Sequence, residues 1–171
     1  TMFANQNMLD AAGVGVPTTF DELLSSGKKL KSGDVSGVAM RSKADGTAGS
    51  WPGGGFVFSN GGVIIQDGKC MLDSPEAIEA IHYYGTILKE AGPLGVGNYH
   101  WYECLNDYMQ EVCAIGMDSS NFATDIENPE KSNAAGHTTY GAMVSGPGKT
   151  AKPNMWHWMS GINSKSQNKA A

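Results

Sequence analysis

Apolar residues recur at helical spacing in two stretches near the start of the chain. The first covers residues 2–12 and stops at Gly13, a common helix-terminating residue. The second follows Thr19, whose hydroxyl can form a capping box with Glu22, and its leucines make one apolar stripe up to Gly33. The pattern predicts two helices joined by an extended Val-Pro segment.

Short apolar runs between polar turns predict strands. They lie at residues 37–40, 113–117, 140–144 and 154–162. Two further runs, at residues 63–72, flank an Asp-Gly pair and predict a β-hairpin.

Two later segments predict longer helices. Ser74 followed by Pro75 is a typical helix start, and the apolar stripe beyond it would contain Ile78, Ile81, Gly85 and Leu88. A helix from Trp101 to Glu111 would turn Leu105, Tyr108 and Met109 inward. Helices alternate with short strands, which indicates an α/β fold.

Composition narrows the class of protein. The 171 residues suit one domain with a hydrophobic core, and the net charge of −5 argues against binding nucleic acid. No apolar run reaches the roughly 18–20 residues of a membrane span, so we expect no insertion into a bilayer. The start of the chain shows no signal peptide. Three cysteines leave at least one thiol unpaired within the chain, and burial as small apolar residues is favoured over a disulfide.

Common cofactor and metal motifs are incomplete. Gly148-Lys149-Thr150 ends like a nucleotide-binding loop, but Met143 stands where that loop needs a glycine. The four histidines lack metal-ligand spacing, and His157 would point away from the neighbouring tryptophans on a strand. We therefore expect no cofactor and no metal.

Catalytic signatures are equally sparse. The chain has no nucleophile elbow and no local catalytic cysteine pattern. Glu103 and Asp118 could form the two-carboxylate pair of a glycosidase, a reading that depends on a separation the sequence does not give.

All four tryptophans lie among glycine, polar or loop residues. They are Trp51, Trp101, Trp156 and Trp158. Indole rings stack on the C–H face of a sugar while neighbouring polar side chains bind its hydroxyls. Trp156 and Trp158, on one side of a strand, would form the wall of a cleft. The pattern favours carbohydrate binding.

Five segments also carry a family resemblance. In chain order they are VPTTFDELL (16–24), SNGG (59–62), LDSPEA (72–77), YGAMVSGPG (140–148) and the segment 154–169. In this order they resemble extracellular solute-binding proteins of the maltose-binding superfamily. The stretches AMRSKADGTAG and MDSS are more similar to sugar-alcohol and monosaccharide binders than to maltodextrin binders.

The resemblance implies an α/β lobe of the type II periplasmic-binding-protein class, with helices flanking a mixed sheet. Residues 1–171 would be part of the second of two lobes, without the first lobe and without the C-terminal helices. The full-length protein would bind a sugar or sugar alcohol and deliver it to the permease subunits of an ABC transporter, without catalysis. It would act in the periplasm or outside the cell, either free or held by a lipid anchor.

The resemblance also assigns candidate ligand contacts. These are Arg41, Trp51, Trp101, Glu103, Asp118, Ser119, Ser120, Trp156 and Trp158. Asn121 stands where maltose binders carry a stacking aromatic residue, which argues against a long oligosaccharide. Two alternatives stay open: a fragment of a glycoside hydrolase, and a protein-interaction domain without a small ligand.

Overall fold

A four-stranded mixed sheet forms the centre of the computed structural model, which describes residues 1–157 and 159–169. Its strands are β1 (Met2–Asn5), β2 (Ser36–Ala39), β5 (Cys113–Met117) and β6 (Thr138–Gly141). They lie in the order β2-β5-β1-β6, and β2 runs parallel to β5 while β1 is antiparallel to both its neighbours. A separate hairpin pairs β3 (Ile65–Gln66) with β4 (Lys69–Cys70).

Helices cover both faces of the sheet. They are α1 (Gln6–Ala12), α2 (Phe20–Leu30), α3 (Gly54–Ser59), α4 (Pro75–Ala91), α5 (Trp101–Met109) and α6 (Ala123–Ile126). Residues of α1 to α4 share one large apolar cluster, while α5 and α6 contribute to a second cluster on the other face. The predicted α/β class, a mixed sheet with flanking helices, is confirmed. Among the described residues, no helix has the length and apolarity needed to cross a membrane.

The start of the chain is a strand rather than the predicted helix. All four residues of β1 are buried because Met2 and Ala4 face the large cluster, while Phe3 points to the opposite layer and packs edge-on against Tyr108, with ring centroids 4.7 Å apart. A strand covered on both faces has no polar alternation to reveal it. The side chain of Asn5 then caps α1 by accepting from the Met8 N–H (3.1 Å).

The predicted inward face of α4 is confirmed at Leu88, which is buried, and is wrong at the two isoleucines. Ile78 and Ile81 are 57% and 47% exposed, and the buried face is instead mostly alanine. The reason is the close approach of α2, where a Cβ built on Gly27 would lie 2.8 Å from Cβ of Ala91. Helices this close need small residues at their contact, so packing overrides the larger apolar stripe.

The helix caps and the hairpin turn predicted from the local sequence are confirmed. Thr19 and Glu22 form the capping box of α2, and Ser74 caps α4 by accepting from the Ala77 N–H. The hairpin turns at Asp67 and Gly68, both with positive φ. The predicted strand at 140–144 is shifted to β6, and the described part of residues 154–162 is irregular rather than extended in a sheet.

Three of the resembling segments meet at one point of the fold. The Phe20 N–H donates to the Ser145 carbonyl (2.9 Å), and the Gly146 N–H donates to the Ser59 carbonyl (3.0 Å). A Cβ on Gly146 would lie 1.9 Å from the side-chain oxygen of Asn60, so the two segments touch directly. These contacts fix the carboxyl end of α3 and the chain that follows residue 146.

Candidate functional site

The parallel strands β2 and β5 end at the same edge of the sheet. Their register pairs Ala39 with Gly116, so the residues that follow each strand emerge side by side. Ligands of α/β proteins commonly bind outside the carboxyl ends of parallel strands. Here those ends deliver Arg41 and Asp118.

Arg41 and Asp118 form a buried bidentate ion pair. Nε of Arg41 donates to Oδ2 of Asp118 (2.6 Å) and Nη2 donates to Oδ1 (2.7 Å). The two side chains are only 7% and 2% exposed. Oδ1 also accepts from the Ser119 N–H (2.7 Å). A carboxylate offers about four acceptor positions, so about one remains for another donor.

Two indole rings continue from this pair. The guanidinium carbon of Arg41 lies 5.1 Å from the ring centroid of Trp51, a cation–π distance. Trp51 in turn lies 5.6 Å from the ring of Trp156, tilted by 48°. The Tyr84 hydroxyl donates to the backbone carbonyl of Arg41. Burial raises the pKa of Tyr84 well above its usual value, which keeps this hydroxyl a donor.

A cavity of about 330 Å³ opens between these groups. Its lining includes Trp51, Met117, Asp118, Ser119, Ser120, Met143, Asn154, Trp156 and His157. The amide nitrogen of Asn154 donates to the Trp51 carbonyl (2.8 Å), which joins the two segments that carry the indole rings. The volume is at the small end of the range for small-molecule sites.

The structure brings five of the nine predicted contacts to this cavity: Trp51, Asp118, Ser119, Ser120 and Trp156. Arg41 is 6% exposed and does not line the cavity, because it lies against Asp118 and Trp51. Trp158 lies outside the described residues.

Trp101 and Glu103 lie on α5, outside the cavity lining. The Trp101 ring packs 5.7 Å from the ring of Phe122 and is not part of the cavity lining. The Glu103 carboxylate accepts from the His100 N–H (2.9 Å) at the start of α5. Hydrogen bonds from the backbone of Glu103 itself and of His100 lower the pKa of this carboxyl group. Glu103 therefore caps a helix, and within the described lining Asp118 is the one carboxylate.

Sequence reasoning missed several lining residues, above all His157. An alternating strand would have turned it away from Trp156, but this segment is irregular and both residues line the cavity. Pro153 was the available signal, since proline is confined to edges and bulges of sheets. Asn154 and Met143 offered no local signal, because only the fold brings them beside Trp51 and Gly55.

The cysteines are buried or remote from the cavity. Cys104 and Cys113 are buried in a small cluster with Ala39, and Cys70 is exposed in the hairpin. All three are free thiols. Burial is the main cause that raises the pKa of Cys113 to about 12. Across the described part of the chain, no three His, Cys, Asp or Glu side chains are grouped to hold a metal ion.

The fold is similar to those of solved transport proteins. An ABC transporter solute-binding protein from Agrobacterium radiobacter K84, in complex with ribitol, superposes with a TM-score of 0.78 at 27% identity, covering 88% of this chain and 38% of that one. The maltose-bound MalE3 protein of T. maritima gives a TM-score of 0.79 at 20% identity, with 88% and 39% coverage. The second likeness shows the fold alone.

A curated relative is similar in sequence. The "Probable ABC transporter-binding protein" of Deinococcus radiodurans is 25% identical over 111 residues, which are 65% of this chain and 26% of the relative. The chain thus spans less than half the length of these relatives.

The family assignment comes from a match along the whole chain. Residues 1–171 match the family described as "Bacterial extracellular solute-binding protein". This agrees with the resemblance of the five sequence segments and with the fold of the solved structures. The chain belongs to the bacterial extracellular solute-binding protein family.

Proposed function

We propose that the cavity beside Asp118 binds a sugar or sugar alcohol, and that the full-length protein delivers this ligand to an ABC transporter permease outside the cytoplasmic membrane. The observation that carries the proposal is the composition of one concavity. Two indole rings, Trp51 and Trp156, lie beside a carboxylate and the Ser119–Ser120 segment. Such a wall matches a ligand with an apolar C–H face and a rim of hydroxyls.

Each group has a distinct part in binding. Trp51 and Trp156 stack on the carbon skeleton of the ligand. Asp118 accepts a hydrogen bond from a ligand hydroxyl at its remaining acceptor position. Ser119 and Ser120 offer hydroxyls that both donate and accept. No bond of the ligand is broken in this scheme.

We further propose that residues 1–171 form part of the second lobe of a two-lobed protein. The cavity is open, and the opposite wall would come from polypeptide beyond this chain. Closure of the lobes would bury the ligand, and the closed form would dock on the permease. The ribitol complex of the Agrobacterium protein supports a small polyol as the first compound to test.

The proposed ligand is tested by calorimetric titration of ribitol, D-mannitol and maltose into the full-length protein and into the isolated 171-residue chain. We expect at least one compound to bind the full-length protein with a Kd of about micromolar or tighter. The isolated chain, with half the site, should bind at about millimolar or weaker. Absence of binding to the full-length protein would contradict the proposed ligand class, and micromolar binding by the isolated chain would contradict the two-lobe arrangement.

The glycosidase alternative has its own test. It requires two carboxylates about the scissile bond, whereas Glu103 caps α5 and Asp118 is held by Arg41. Release of a chromophore from aryl glycosides, abolished by Glu103→Gln, would favour hydrolysis over transport. Ligand contacts by Trp101 and Glu103 stay predictions. A fall in sugar affinity in the Trp101→Ala variant would extend the proposed site to the start of α5.

A further inference from the structure

The charges around the cavity are unevenly placed. Asp118 and His157 supply the titratable side chains of the described lining, the amino group of Thr1 donates to the Asp118 backbone carbonyl beside it, and neither lysine nor arginine contributes. Arg41 is the single arginine of the chain and lies behind Asp118 rather than at the cavity surface. An anionic ligand would therefore meet a carboxylate but no accessible guanidinium.

Arg41 is also held by its neighbours. The Nε edge of its guanidinium is bound to both oxygens of Asp118, and Trp51 lies over the guanidinium at 5.1 Å. Its backbone carbonyl accepts from Tyr84. The side chains of Arg41 and Asp118 are both buried, at 7% and 2% exposure, but Asp118 borders the cavity whereas Arg41 lies against Asp118 and Trp51 and does not line it.

We infer that Arg41 is a positioning residue rather than a ligand contact, and that its pairing with Asp118 makes the site select uncharged polyhydroxylated ligands over the corresponding acids. The inference rests on the proposed function. Arg41 neutralises Asp118, holds the carboxylate in one orientation and supports the face of Trp51. The cavity then presents an acceptor for hydroxyls without a net charge.

The selectivity follows from the cost of unpaired charge in a partly buried site. A ligand hydroxyl can donate to the remaining acceptor position of Asp118. A ligand carboxylate cannot donate there, and it would lose water without gaining a side-chain cation, because breaking the Arg41–Asp118 pair leaves another buried charge uncompensated. Discrimination thus comes from the mutual cancellation of the two charges, which leaves no unpaired guanidinium for a ligand carboxylate.

The test uses ribitol and D-ribonate, which share a carbon skeleton, with the full-length protein at pH 8. Wild-type protein should bind ribitol more tightly. Asp118→Asn removes the carboxylate and leaves the guanidinium unpaired beside the cavity, so the ratio of ribonate to ribitol affinity should rise about tenfold or more. An unchanged ratio would overturn the inference.

A matched control and a double variant separate charge from structure. Asp125→Asn makes the same chemical change in the exposed Asp125–Lys131 pair (2.8 Å), remote from the cavity lining, and should leave the ratio unchanged. Arg41→Met with Asp118→Asn carries neither charge and should keep the preference for ribitol within about threefold of wild type. Loss of that preference in the double variant would indicate direct contact by Arg41 and overturn the positioning role.

Tryptophan fluorescence gives a readout that needs no ligand. Removing the guanidinium in Arg41→Met should shift the emission of Trp51, and adding Trp51→Phe should abolish the shift. An Arg41→Met spectrum identical to wild type would overturn the positioning role. If no panel compound binds, the proposed function fails while this fluorescence result still decides whether Arg41 positions Trp51.

Discussion

The two ends of β5 each carry a paired carboxylate, in opposite environments. Asp118 follows the strand and is bound to Arg41 with both side chains under a tenth exposed. Glu111 precedes the strand and lies 3.2 Å from Nε2 of His137, with both side chains about a third exposed. Glu111 also accepts from the Asn5 amide (2.7 Å).

The two pairs differ in their exposure to solvent. Water screens the Glu111–His137 pair, so its loss should cost little. The Arg41–Asp118 pair has given up its water, and each partner depends on the other to compensate its charge. A paired carboxylate is thus a local, part-exposed contact with an imidazole at one end of the strand and, bound to a guanidinium, the organising element of a cavity at the other.

The largest expected effect comes from breaking the buried pair. Arg41→Met should lower the free energy of unfolding by about 3–5 kcal/mol, because it leaves the buried Asp118 carboxylate without its compensating cation. Glu111→Gln, the comparison at the exposed end, should cost about 0–1 kcal/mol. Urea denaturation of both variants measures the contrast, and equal losses would show that burial does not distinguish the two pairs.

A smaller effect is expected from the link between the two indole-bearing segments. Asn154→Ala removes the donor to the Trp51 carbonyl and should weaken ribitol binding by about three- to tenfold, the value of about one hydrogen bond. Calorimetry with the full-length protein measures it. Asn133→Ala, an exposed asparagine near Gln110, is the matched control and should bind ribitol like wild type.

A still smaller effect on stability is expected from changing Glu111 to glycine. Glu111 has a φ of 59°, a left-handed conformation that glycine adopts without strain. Glu111→Gly relieves that strain but loses the contacts to Asn5 and His137, so thermal unfolding should show a net change of about 1 kcal/mol or less. A large loss of stability would show that the exposed end also organises the fold.

Alkaline titration tests the first residue of β5. The Cys113 thiol has a pKa of about 12 in the folded protein and an ordinary value of 9.0, so unfolding releases its proton between these values. Stability from this group is complete below pH 9 and is lost as the pH rises toward 12. Cys113→Ala should show a shallower decline of unfolding free energy above pH 9 than wild type. Parallel curves would contradict burial of the thiol.

Local chemistry made some of the fold predictable from the sequence. Thr19 with Glu22, Ser74 before Pro75, and Asp67-Gly68 each carry their structural signal within a few residues. The apolar run before Asp118 likewise placed that carboxylate at a strand end.

What could not be predicted depends on contacts distant in sequence. The buried face of α4 is set by Gly27 of α2, and the first strand is hidden because both its faces are covered. The Arg41–Asp118 distance required the parallel register of β2 and β5, and His157 required the irregular path after residue 153. Trp51 and Trp156 could be named as candidates, but only the fold brings them into one cavity.

The most direct measurement is a calorimetric titration of ribitol into the full-length protein, its Trp51→Ala variant and its Tyr102→Ala variant. Tyr102 is an exposed aromatic residue outside the cavity lining. Loss of the Trp51 ring should weaken binding by about thirtyfold, or about 2 kcal/mol, and Tyr102→Ala should stay within about twofold of wild type. Binding by Trp51→Ala as tight as wild type would contradict the assignment of this cavity as the ligand site.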